Sequence, residues 1–194
     1  MTASLALDTF RRLIQQVEEI EAVAAAIEST RPDAAPVLRR SGYVLAVAAI
    51  DTYFHEQAAR LLWDAARAGS AHAARVANYL QSVSAADVSG PFGEGYIRMR
   101  LSYKTLVAPK GVDAVMTAWG ADPDALWRSY CFASGTRPDR ERRKLELFYD
   151  RRNQIAHEGD WDFVQLDFRP MAQAHLADCV SAVTGLAEGF DLLI

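Results

Sequence analysis

From Leu7 to Ile27 the apolar residues Leu7, Phe10, Leu13, Ile14, Val17, Ile20, Ala24 and Ile27 recur every three or four positions. That period places them on one face of an α-helix. It returns between Val37 and Ala68, where Tyr43, Val44, Val47, Ile50, Phe54, Ala58 and Leu61 share an arc. After Pro170 it appears once more, in Leu176, Val180, Val183, Leu186, Ala187 and Phe190. A chain patterned this way must bury helices against helices, so the expected fold class is all-α. Two prolines and an aspartate in TRPDAAP (Thr30 to Pro36) predict the turn between the first two helices. TRPDRERRKLELFYDRRNQIAH (Thr136 to His157) reads as a further helix of about five turns, stopped by Gly159. WDFVQLDF (Trp161 to Phe168) is the one β-like segment and is expected to be a connection.

The middle of the chain, about 70–136, is choppier. SGPFGEG (Ser89 to Gly95) and APKG (Ala108 to Gly111) are loop signals. VDAVMTAW and DPDALWRSYCF are expected as short helices, the second started by Asp122 and Pro123. We read residues 1–194 as one helical domain, with this middle region as an elaboration. The formal net charge of −4 excludes a wholly basic, nucleic-acid-coating surface, so any contact with RNA or DNA needs a local patch. Cys131 and Cys179 are far apart, with no CxxC or Cys/His cluster, which argues against a disulfide scaffold or structural zinc. No metal and no cofactor is expected. The start, MTASLALDTFRRLIQQ, lacks the basic region of a signal peptide. The longest apolar run, GYVLAVAAI, is nine residues and ends at Asp51, too short to span a bilayer. The expectation is a cytoplasmic chain with no membrane partner.

RRNQIAHEGD (Arg151 to Asp160) concentrates two arginines, an asparagine, a histidine and two acids. It contains Arg152…His157 with four residues between, a spacing that is cheap in a chain with 18 arginines and 4 histidines. Arg67…His72 and Arg169…His175 offer similar spacings, but one straddles Gly69-Ser70 and the other Pro170. Both read as solvated or capping residues. Arg152 differs, because it falls near the middle of the apolar arc formed by Leu145, Phe148, Tyr149, Ile155 and Ala156. A guanidinium there is costly to bury unless it is paired or the face lines a groove. Asn153 and His157, four apart, share a neighbouring face. His157 lies about 140° round from Arg152, so a straight helix does not aim both at one point unless the last turn frays or two chains contribute. The second helix carries a matching anomaly, since Asp51 lies inside its apolar arc near Val47, Phe54 and Ala58. One inward acid and one inward base suggest that Asp51 approaches Arg152 or Asn153.

RRNQIAHEGD resembles the Arg-x(4–6)-His signature of the HEPN superfamily, and LRRSGYVLAVAAIDTYFHEQAARLL (Leu38 to Leu62) resembles that family's second helix, which commonly carries an acid at the place of Asp51. Within the superfamily the chain is most similar to the RiboL-PSP type, over about residues 37–62 and 140–160. The resemblance implies an up-and-down bundle of four long helices that forms a homodimer and brings two Arg/His motifs to one cleft. Many members are metal-independent endoribonucleases of toxin–antitoxin, abortive-infection or other conflict systems, whereas others lack catalysis and serve as binding or scaffold modules. On this sequence the resemblance makes Arg152 and His157 the catalytic pair, Asn153 the polar follower and Asp51 the supporting acid. Arg151 supplies an alternative register.

The chemistry suits these residue types. Attack of a 2′-OH on the adjacent phosphate needs proton transfer near neutrality, which histidine performs, and a fixed cation on the developing charge, which arginine's planar fork supplies. Arg137, Arg140, Arg142, Arg143 and Lys144 either track a phosphate backbone or form a solvated face interleaved with Asp139, Glu141 and Glu146. The expected function is therefore a homodimeric endoribonuclease acting on RNA, partnered by an antitoxin or another conflict-system protein. The alternatives are a catalytically silent HEPN binding module, or a structural helical protein in which Arg152–Asp51 is a core ion pair.

Overall fold

In chain order, the computed structural model, which describes residues 3–194, forms α1 (Leu5–Ile27), α2 (Ala34–Ala68), α3 (Ser70–Leu80), α4 (Ala85–Ser89) and α5 (Gly93–Leu101). There follow α6 (Pro109–Trp119), α7 (Pro123–Ser134), α8 (Pro138–Glu158), the short strands β1 (Trp161–Asp162) and β2 (Asp167–Phe168), and α9 (Gln173–Asp191). The fold is all-α apart from that hairpin. The chain divides into two compact units, one holding the residues up to Ile50 with Lys144–Leu192, the other Asp51–Arg143. No helix among the described residues is long and apolar enough to cross a membrane.

In the first unit α1 buries Leu7, Phe10, Ile14, Val17 and Ala24, the stripe that its period predicts. Ser4 caps it by accepting a hydrogen bond from the Leu7 amide at 3.1 Å. α1 and α9 run antiparallel. Ser4 at the head of one meets Asp191 at the tail of the other, Arg11 pairs with Glu188 at 2.8 Å, and Gly42 of α2 lies between Ile20 and Leu176. α2 begins at Ala34, three residues earlier than expected. The first four amides of a helix have no intrahelical acceptor, so Pro36 fits its first turn without losing a bond. Arg39 sits on the buried stripe of α2 and is only 1% exposed. Its guanidinium donates to Glu21 of α1 at 3.1 Å and to Glu28, the C-cap of that helix, at 2.6 Å, which satisfies a charge that could not otherwise leave water.

The second unit contains the short helices. α3 packs on α4, α5 and α6. Gly93 opens α5 where a Cβ would stand 2.2 Å from the Val88 carbonyl oxygen and 2.3 Å from Trp63, so no larger residue fits. APKG, expected as a loop, instead starts α6. Pro109 occupies its first position, where the missing N–H costs nothing and the fixed φ already suits the helix. α7 starts as expected, with Asp122 accepting from the Asp124 amide and Pro123 next to it. Trp127 is fully buried, and its Nε1 donates to Asp113 at 2.8 Å.

WDFVQLDF is more than a connection. Trp161 pairs with Phe168 and Asp162 with Asp167 in an antiparallel hairpin. Asp162 makes the turn by accepting the amides of Val164 and Gln165, and the Trp161 and Phe168 rings meet edge-on at 5.3 Å.

Candidate functional site

α8 ends where Gly159 (φ 62°) and Asp160 (φ 63°) turn the backbone left-handed, and the Asp160 amide donates back to the Gln154 carbonyl at 3.1 Å. This turn carries the Asp160 side chain inward, to zero exposure. Two arginines meet it there. Arg40 of α2 places Nε 2.7 Å from Oδ2, and Arg151 of α8 places Nη1 2.7 Å from Oδ1. The same guanidiniums donate to the carbonyls of Arg169 and Pro170, and the Asp160 carbonyl accepts the Arg169 amide. One buried carboxylate thus ties together α2, α8 and the exit of the hairpin.

Arg151, the alternative-register arginine, is therefore half-buried and engaged. Arg152 is half-buried as well, but its Nη1 donates to the neighbouring Asn153 Oδ1 at 3.0 Å, and no carboxylate pairs with it among the described residues. His157 stands exposed in the last turn of α8. Arg152 and His157 are about 140° apart around the axis and about 7.5 Å apart along it. Of the predicted residues, the helix brings Arg152 and Asn153 together, while His157 lies on another face. The apolar arc around Arg152 is partly covered. Leu145 is buried, Phe148, Tyr149 and Ile155 are half-buried, and Ala156 is exposed.

Asp51, expected to approach Arg152 or Asn153, belongs to the second unit. There its Oδ1 accepts the amides of Leu106 at 2.9 Å and Val107 at 2.7 Å, and His55 Nε2 lies 3.8 Å from its Oδ2. The half-buried acid on the α2 arc anchors the segment that leads into α6. The cationic run at the start of α8 is not uniform. Arg140, Arg143 and Lys144 are exposed, and Arg137 pairs with Asp139. Arg142 turns inward over the Trp127 ring and pairs with Asp113 and Asp124.

A cleft of about 500 Å³ lies beside Arg151, lined by Tyr43, Leu147, Phe148, Arg169, Pro170, His175 and Asp178. Arg169 and His175, read from sequence as solvated or capping, meet here. His175 is indeed a cap, since its Nδ1 accepts the Ala172 amide at 3.0 Å, and Arg169 Nη1 lies 3.5 Å from Glu158. Burial, with Cys179 alongside, pushes the Tyr43 hydroxyl well above its ordinary range. Sequence reasoning passed over Asp160, Arg40 and Arg39. For Arg39 a signal existed, because it lies four and seven positions before Tyr43 and Ala46 on the buried stripe. Asp160 gave none.

Among the described residues no group of three or more His, Cys, Asp or Glu side chains is placed to hold a metal ion. No family model, no curated protein and no solved structure matches the chain.

Proposed function

We propose that the protein is a HEPN-type endoribonuclease that cuts RNA by attack of the 2′-OH on the adjacent phosphate. Arg152 stabilises the charge that develops on the phosphate, His157 transfers the proton, and Asn153 orients Arg152. One observation carries this reading: Arg152 keeps its guanidinium clear of any carboxylate among the described residues, while adjacent Arg151 is locked to Asp160. A structural arginine would be paired, as Arg39, Arg40 and Arg142 are. The site is composite. A second copy, docked on the half-exposed apolar arc of α8, brings its own motif to the same phosphate and so removes the angular separation of Arg152 and His157 within one chain. An antitoxin or other conflict-system protein would restrain such an activity.

The test is incubation of the purified protein with mixed cellular RNA in EDTA. Cleavage should leave 2′,3′-cyclic phosphate and 5′-hydroxyl ends and should fall roughly 10²–10⁴-fold in His157→Ala. Light scattering should find a dimer. Cleavage only with added Mg²⁺, or an unchanged rate in His157→Ala, overturns the mechanism.

A further inference from the structure

Phe92, Tyr96, Met99 and Tyr103 follow one another at intervals of four, three and four residues from the N-cap of α5 to just past its C-cap. Ser102, the C-cap, keeps helical dihedrals, so the four side chains fall within an arc of about 60°. All four point to solvent, at 77%, 39%, 47% and 78% exposure. The opposite face of α5 is the buried one, carrying Ile97 and Leu101.

Two cations flank this stripe. The Arg100 guanidinium lies 5.8 Å from the centroid of the Tyr103 ring, and Lys104 Nζ lies 4.8 Å from that of Tyr79. No carboxylate pairs with either cation among the described residues, and Arg100 Nε has no hydrogen-bond partner. Arg98, on the other side of the helix, takes up Glu94 and Glu56. The charge of the chain is also unevenly distributed. The unit Asp51–Arg143 holds 12 basic and 10 acidic residues, against 9 and 15 in the remainder.

We propose that Phe92, Tyr96, Met99 and Tyr103, with Arg100 and Lys104, form a stacking platform for single-stranded RNA. Three of the four stripe residues are aromatic, and Arg100 and Lys104 set positive charge beside them, the combination of ring faces and cations that a single strand stacks and neutralises on. α5 itself has nine residues, including Gly93 and Gly95, and is too short for a stable helix–helix seam. The axial step from Phe92 to Tyr96, and from Met99 to Tyr103, is about 6 Å, which lets bases of an unstacked strand seat on successive rings. Arg100 and Lys104 then meet the phosphates. The proposal rests on the ribonuclease reading for the choice of RNA, and it names the form of substrate that the α8 site receives.

The test measures fluorescence anisotropy with a short labelled single-stranded RNA of mixed sequence, and with its duplex, in the His157→Ala background. The strand should bind more tightly than the duplex. Tyr96→Ala and Tyr103→Ala should each weaken binding roughly tenfold or more at low salt. Tyr103→Phe should keep the affinity and Tyr103→Leu should lose it, because the ring and not its apolar area does the binding. Equal affinity in Tyr103→Leu and the parent overturns the proposal. So does self-association that Tyr103→Ala abolishes in a protein that binds no strand, since the stripe is then a protein interface. RNA cleavage by the wild type with ring-independent binding overturns the platform and leaves the ribonuclease standing. Ring-dependent binding by a protein that never cuts does the reverse.

Discussion

Arg151 and Asp160 stand nine residues apart, and 2.7 Å separates Nη1 of the one from Oδ1 of the other. Their contact folds the end of α8 back on itself across Gly159 and engages the Arg151 guanidinium, while that of Arg152 meets only Asn153 among the polar contacts of the described residues. Two adjacent arginines of one motif thereby acquire different tasks. Arg151 holds the turn, while Arg152 remains available.

The first prediction separates those tasks. Arg152→Lys keeps the charge but loses the planar fork, and should abolish RNA cleavage with little change in the urea midpoint. Arg151→Lys should lower the midpoint while leaving cleavage measurable below it. If the two variants exchange these phenotypes, the catalytic register is that of Arg151.

Asp160 is the charge on which the local architecture depends. Asp160→Asn tolerates the left-handed backbone but leaves Arg40 and Arg151 facing a neutral side chain in a buried site. The expected loss is about 3–5 kcal/mol of unfolding free energy, read from equilibrium urea denaturation. A loss no larger than that of an exposed substitution on α8 would show that the cluster is solvated.

Acid should loosen the junction of α1 and α2. The Arg39 hydrogen bond holds the Glu28 carboxyl below its ordinary 4.5, against a smaller opposing effect of desolvation. A depressed carboxylate adds stability that is fully present above the unfolded value and is lost as pH falls through the folded one. Thermal melts taken downward from neutrality should therefore drop below pH 4.5. Glu28→Gln should flatten part of that drop, and an identical acid limb in Glu28→Gln would count against the pairing.

The two thiols should be inert while the chain is folded. Burial pushes the Cys179 thiol up to about 12 and raises that of Cys131 as well, so little thiolate exists near neutrality. A thiol-reactive chromophore should label neither at a useful rate in buffer and both in urea. Fast native labelling of Cys179 would mean that the core around Tyr43 opens.

What the sequence determined by itself is the set of helices whose cause is local. The three-and-four spacing of Phe10, Ile14 and Val17, or of Tyr43, Val47, Ile50 and Phe54, suffices to produce α1 and α2, because a helix needs only its own residues and one apolar face. Gly159 as the stop of α8 and Asp122-Pro123 as the start of α7 are equally local, since each acts through a dihedral or a cap. The Arg152–Asn153 contact, though only one residue long, was not among those readings, which set Asn153 on a face with His157. The tertiary structure decided the fate of charges whose partners are distant in the chain. Asp160 finds Arg40 from 120 residues away, and Asp51 meets the amides of Leu106 and Val107 more than fifty residues on. No periodicity encodes these meetings. Whether a charge is buried and paired or left in solvent depends on which elements pack around it, and that is settled only when the helices come together.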